Sequence, residues 1–195
     1  MRAKETIADA EADKQYQYLS FFVAHEEYAL SILEVKEIVE LTTLTKIPKA
    51  PAAIRGVVNL RGRVVPVLDL AARFGLAETE ITKRTCVVMV EAVWEGEQTV
   101  VGILADAVSQ VVELREGAVQ PAPSFGTRAR VDYLKGMANV GDKFVLILDL
   151  GHVLHALALD AAGIAEQALE QSGNDGDAEP HDAAGAVVAE ATSPA

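Results

Sequence analysis

The sequence predicts an all-β body with short helices, built as two small barrels of one design and closed by a C-terminal helix. Short apolar runs separated by turn residues fill positions from about 16 to 157, a strand-and-turn pattern rather than a succession of amphipathic helices. Helical periodicity is convincing only at the end, at Leu150, Val153, Leu154 and Leu157. The chain also matches itself. Moved along by 80 residues, Ile54-Arg55-Gly56-Val57-Val58-Asn59-Leu60 falls on Leu134-Lys135-Gly136-Met137-Ala138-Asn139-Val140, and Val65–Leu70 falls on Val145–Leu150. With a slightly different offset, Val35–Leu41 resembles Val108–Leu114. A Gly-x-x-Asn pattern followed by Asp-Leu at one spacing reads as a duplication, each copy closing a small sheet to remove its edges.

Taken in order, Tyr16 to Val23 is rich in aromatic and β-branched residues, and Ala24–Glu27 turns the chain into a second strand, Tyr28–Ile32. Val64–Leu68 is strand-like, but Pro66 cannot donate to a ladder and predicts an edge or a bulge. Cys86–Val93 and Thr99–Leu104 flank a hairpin turn containing Gly96, and Tyr133–Val140 and Lys143–Leu148 flank Gly141-Asp142. Short helices are expected around Ala50–Arg55 and Leu70–Phe74. Gly56 and Gly136 should supply positive φ or close backbone approach, and Asn59 and Asn139 should end strands or cap turns. Asp69 and Asp149 should cap the segments that follow them.

The formal charge of −12 is unevenly spread over the 195 residues. From Asp160 onward there are eight acids and no Lys or Arg, so the tail carries two thirds of it. Neither half concentrates the cations that nucleic-acid binding needs. Cys86, the single cysteine, reads as a small core residue. No run approaches the length of a membrane span, because Pro66, Asp69, Asp106 and Asp149 interrupt the longest ones. Direct membrane insertion is not expected, and a cytoplasmic location is. The expected organisation is a flexible lead over 1–15, a body over 16–157 and an acidic, Ala-rich tail over 158–195 that starts helical and becomes disordered. Within the body, a first barrel is expected mainly over 16–82 and a second mainly over 83–157, with exchange of strands between them allowed.

Catalytic motifs are missing from the sequence. Asp149, His152 and His155 fall on adjacent turns of the last helix and could at most hint at a small metal-dependent enzyme, yet no further ligand lies at short range. No metal site and no cofactor are expected. Binding features are better developed. In Asn59-Leu60-Arg61-Gly62-Arg63, an arginine between a strand end and a glycine can grip a carboxylate, either within the fold, where Glu37 and Glu40 are candidates, or on a partner. Surplus apolar character around Ile32–Val35 and Ile47–Pro51 points to a groove between the barrels that could dock a helix or an edge strand.

The run Ile54–Leu70 closely resembles the signature of CheW, the bacterial chemotaxis coupling family. Glu27–Leu30, Val35–Ile38, Ile47-Pro48, Val101–Val108, Pro121–Pro123 and Tyr133–Gly136 agree as well. The resemblance implies two SH3-like barrels and a non-enzymatic adaptor joining transmembrane chemoreceptors to the histidine kinase CheA in signalling arrays. A CheW-like adaptor of another chemosensory-type pathway, such as one serving twitching motility, would share the fold. The implied partners are the regulatory domain of CheA, the cytoplasmic tip of a methyl-accepting receptor seated in the groove, and other CheW copies in rings. Residue by residue, Val35, Gly56, Asn59 and Arg61 fall on a receptor-coupling surface, and Glu37 is the acidic neighbour that pairs with Arg61. For the kinase only a surface is implied, on the barrel containing Val87–Val112 with a weaker contact from the first.

Overall fold

A computed structural model describes residues 14–94, 96–122 and 131–158. Most of the expected lead and nearly all of the expected tail lie outside these residues. Ten strands form two five-stranded sheets. They are β1 (Gln15–Val23), β2 (Glu26–Ser31), β3 (Val35–Glu40), β4 (Ile54–Leu60), β5 (Arg63–Asp69), β6 (Cys86–Trp94), β7 (Glu97–Ala105), β8 (Ala107–Arg115), β9 (Leu134–Val140) and β10 (Lys143–Leu148). A four-residue helix, α1 (Leu70–Arg73), follows β5, and a C-terminal helix occupies 150–158 after β10. The stretch 50–55 is turn leading into β4 instead of the expected short helix.

One sheet runs β3-β6-β7-β5-β4 and the other β8-β1-β2-β10-β9. These orders become identical when β3, β4, β5, β6 and β7 are matched with β8, β9, β10, β1 and β2. The sequence repeats are therefore β1–β5 and β6–β10, and each gives its first hairpin to one barrel and its last three strands to the other. Corresponding parallel pairings confirm the match: β5 beside β7 sets Val67 against Gly102, and β10 beside β2 sets Ile147 against Ala29. Strand membership thus crosses the mid-chain division expected near residue 82.

This interleaving explains why the strands read as continuous apolar runs, since both of their faces are covered. Val65, Val67, Val87, Met89 and Leu104 fill one barrel, and Ala29, Val112, Leu114, Ala138, Val145 and Ile147 fill the other. The alternate residues, Leu68, Val88 and Val90 from one sheet and Tyr28, Leu30 and Leu148 from the other, point into a third core between the barrels. That core also takes Val153, Leu154 and Leu157 of the C-terminal helix and a ring stack, with Phe74 5.5 Å from Tyr28 and 5.8 Å from Tyr133. Burial, then the nearby Glu26 carboxylate that accepts its O–H, hold the Tyr28 phenol well above its usual titration range. Cys86 packs half-buried against the central core, and burial raises its thiol.

Pro66 lies in β5 between two neighbours, but opposite Val57 of β4, one residue before pairing with β7 begins. Its missing N–H therefore costs no ladder bond on that side. The two repeated glycines do the same work. Thr45 exchanges backbone bonds of 2.9 and 2.8 Å with Val57, and Gln120 exchanges bonds of 2.8 and 2.7 Å with Met137. A Cβ at Gly56 would lie 2.4 Å from the Thr45 carbonyl oxygen, and one at Gly136 2.3 Å from that of Gln120. Gly117 has positive φ but open space around it. Gly117→Ala should cost about 1–2 kcal/mol from its backbone conformation alone, whereas Gly136→Ala should cost a further 1–3 kcal/mol or so from the collision. Urea denaturation of both variants measures the difference, and equal losses would contradict this account of the crossing.

Candidate functional site

Arg61 and Gly62 form the two-residue turn between β4 and β5, with φ of 52° and 85°, the positive pair that a type I′ hairpin turn requires. Glycine is at ease there; arginine is not. The Asn59 side-chain oxygen accepts the Gly62 N–H at 2.8 Å, which braces the turn as expected of a capping asparagine. From this position one guanidinium nitrogen of Arg61 donates to Glu37 at 2.8 Å. Glu37, not Glu40, is therefore its internal mate. The pair spans the two ends of the sheet order, β3 to the β4–β5 turn, and so helps close the barrel. Arg61 nevertheless stays 80% exposed. A pair this open contributes at most about 1 kcal/mol, comparable to the local cost of the left-handed arginine.

The other candidate residues sit elsewhere. Val35 opens β3 opposite Val90 and packs on the central core, two residues before Glu37. Gly56 is buried beneath the Thr45 crossing, so it can act on the surface only through the backbone. Some features were not singled out from the sequence. Lys36 pairs with Glu91 at 2.9 Å beside Arg61. Val64 and Phe144 are exposed large apolar residues at equivalent places, opposite Asn59 and Asn139. The 80-residue spacing links them, and only the structure shows that both face outward.

The repeated aspartates have diverged. Asp69 is fully buried; it caps α1 through the Ala71 and Ala72 N–H groups, accepts both donors of Thr79 and meets Arg55 at 3.3 Å. Arg55 also pairs with Glu78. Asp149 caps the C-terminal helix by accepting the His152 N–H at 3.1 Å and faces its Nδ1 at 3.0 Å. Burial pushes the Asp149 carboxyl up, but the His152 hydrogen bonds and the charges of His152 and Lys135 outweigh it and hold it below its usual range. His152 and His155 are exposed, and no three metal-binding side chains cluster among the described residues. Asp149, His152 and His155 are thus a helix cap and its neighbours.

A CheW-like domain model matches residues 17–158. The chain belongs to the CheW-like family. Chemotaxis protein CheW of Klebsiella aerogenes is 34% identical over 138 residues, covering 71% of this chain and 81% of that protein. Chemotaxis protein CheW of Bacillus subtilis is 31% identical over 146 residues, covering 74% and 90%. The crystal structure of the scaffolding protein TtCheW from Thermoanaerobacter tengcongensis superposes with a TM-score of 0.64 at 33% identity, covering 72% of this chain and 88% of that one. The fold is accordingly the all-β CheW fold of paired SH3-like barrels, and the family is one of chemotaxis scaffolds, not of enzymes. Among the described residues no helix is long and apolar enough to cross a membrane.

Two tests follow. Arg61→Gly should leave stability unchanged or raised, within about 1 kcal/mol, because strain relief offsets the lost surface pair; a clear loss in thermal or urea denaturation would show Arg61 to be structural. The depressed Asp149 carboxyl stabilises the fold fully above its unfolded value of about 3.9, and that contribution disappears as pH falls through the lower folded value. Stability should therefore fall less steeply below about pH 4 in Asp149→Asn than in the wild type. Parallel acid-denaturation slopes would contradict the assignment.

Proposed function

We propose that this chain couples chemoreceptors to the histidine kinase CheA, binding the receptor's cytoplasmic tip and the kinase's regulatory domain on one rigid body within membrane-associated arrays. The observation that carries this reading is Arg61: an exposed arginine held in a left-handed turn by Asn59 and Glu37, at a local cost that its surface pair does no more than offset. Conformational strain at an exposed, braced side chain fits a residue retained for binding.

In this reading Arg61 contacts the receptor. Asn59 and Glu37 aim it, Gly56 sets the crossing beneath it, and Val35 leads β3 into the same surface. The kinase's regulatory domain resembles this family, so its contacts are expected to be barrel against barrel. Val64 and Phe144, exposed at equivalent places on the two barrels, suit such a like-on-like interface, as they do contacts with further copies of this chain in rings. Binding both partners raises their effective concentration for each other, and the coupling of receptor state to kinase state is reciprocal in binding free energy.

The test is binding of the purified chain to a receptor cytoplasmic fragment and to a CheA regulatory domain from the same genome. The wild type should bind both. Arg61→Glu should lose receptor affinity by tenfold or more, about 1.4 kcal/mol, keep kinase binding and retain the wild-type circular dichroism spectrum. Unchanged receptor binding in that variant, or no wild-type binding to either partner, would overturn the proposal.

A further inference from the structure

The two barrels present matching mouths of opposite charge. Beside Arg61 a cleft of about 500 Å³ opens at the mouth of the β3–β7 barrel, lined by Lys36, Arg61 and Arg63 together with Glu37 and Glu91. The matching cleft of the other barrel, about 450 Å³, is lined by Lys143, Glu26, Glu27 and His25 around Phe144. The strand match places Arg63 on Lys143, Val64 on Phe144, and Thr99 and Val100 on Glu26 and Glu27. With histidine neutral, the first mouth carries one cation in excess and the second one acid in excess. On a chain of net charge −12 the first is a local positive site.

We propose that this first mouth is a dock for carboxylates on the helical tip of the receptor, in which Lys36 and Arg63 act together with Arg61. The inference rests on the receptor reading above and adds the chemistry of the partner. Arg61 uses one terminal nitrogen for Glu37, leaving donors for a second carboxylate. Lys36 gives Glu91 one of its three N–H donors. Arg63 is exposed and has no ion-pair partner among the described residues. A row of partner carboxylates can thus be bound without breaking either internal pair. Glu37 and Glu91 hold the cations in place and repel an acidic group that arrives out of register.

The experiment measures affinity of the full chain for the receptor fragment between about 50 and about 300 mM NaCl, where screening tightens strongly. Wild type is compared with Arg63→Gln, Lys36→Gln and, at the matching mouth, Lys143→Gln. Arg63→Gln and Lys36→Gln should each weaken binding about three- to tenfold at low salt and flatten the salt dependence, while Lys143→Gln changes neither. Wild-type affinity in the first two variants would overturn the proposal and leave receptor coupling standing. If the wild type does not bind the fragment, the receptor reading fails, and a second probe decides the chemistry. A Glu/Ala helical peptide of about 20 residues, titrated into isotopically labelled protein, should then shift the amides of Lys36, Arg61 and Arg63 while a Lys/Ala peptide does not. No shift with the Glu/Ala peptide, or equal shifts with both, would overturn the carboxylate dock.

Discussion

The exchange of hairpins between the two repeats is the constraint on which everything else rests. Because β1 and β2 complete the barrel of β8–β10, and β6 and β7 complete that of β3–β5, neither repeat can close a sheet alone. The chain must cross between barrels at Ile32–Glu34 and again at Asp106. Ile32 at the first crossing packs on a shared core of Tyr28, Leu30, Leu68, Val88, Val90 and Leu148, and the Asp106 N–H at the second donates to the Phe22 carbonyl. Close-packed interiors resist continuous deformation, so the angle between the barrels is set by the same side chains that stabilise them. A scaffold that must hold two partners in a fixed relation gains from having no flexible joint.

Duplication then supplies two of every surface, and divergence gives each its own character. The crossing under Gly56 and that under Gly136 are nearly identical because backbone packing tolerates no side chain at either. The aspartates after β5 and β10 keep their capping role but differ in burial: Asp69 is sealed with Arg55 and Thr79, whereas Asp149 meets a solvent-facing histidine. A buried ion pair tolerates no loss of one partner, so the first is confined to architecture. Exposed turn and rim positions carry no such penalty, and it is there that Arg61 stands where the other copy has Gly141.

Much of this was legible in the sequence because local rules dominate it. The β1–β2, β6–β7 and β9–β10 hairpins are announced by strand-rich runs around short turns, the duplication by its spacing, and the Arg61 partner by two acids on β3; of the β4–β5 hairpin the sequence shows only the second strand and a polar, Gly-punctuated stretch before it. What settled Glu37 over Glu40 was the irregular register between Val35 and Glu37, which no periodicity reveals. Membership of the sheets was hidden for a related reason: an 80-residue offset is the same whether a repeat folds on itself or trades a hairpin with its neighbour. The turn at 50–55 has the small residues of a helix but is drawn out to deliver Ile54 to β4. Gly56 reads from the sequence as a point of close backbone approach, and the Thr45 crossing is that approach; its place on a receptor-coupling surface comes from the family resemblance alone.

If one rigid body holds receptor and kinase together, mass photometry of the three components finds them in a single particle. Mixing the receptor fragment and the CheA regulatory domain with this chain should give a particle with the summed mass of all three, absent when the chain is omitted. Two separate binary complexes, with one partner displacing the other as its concentration rises, would contradict the account.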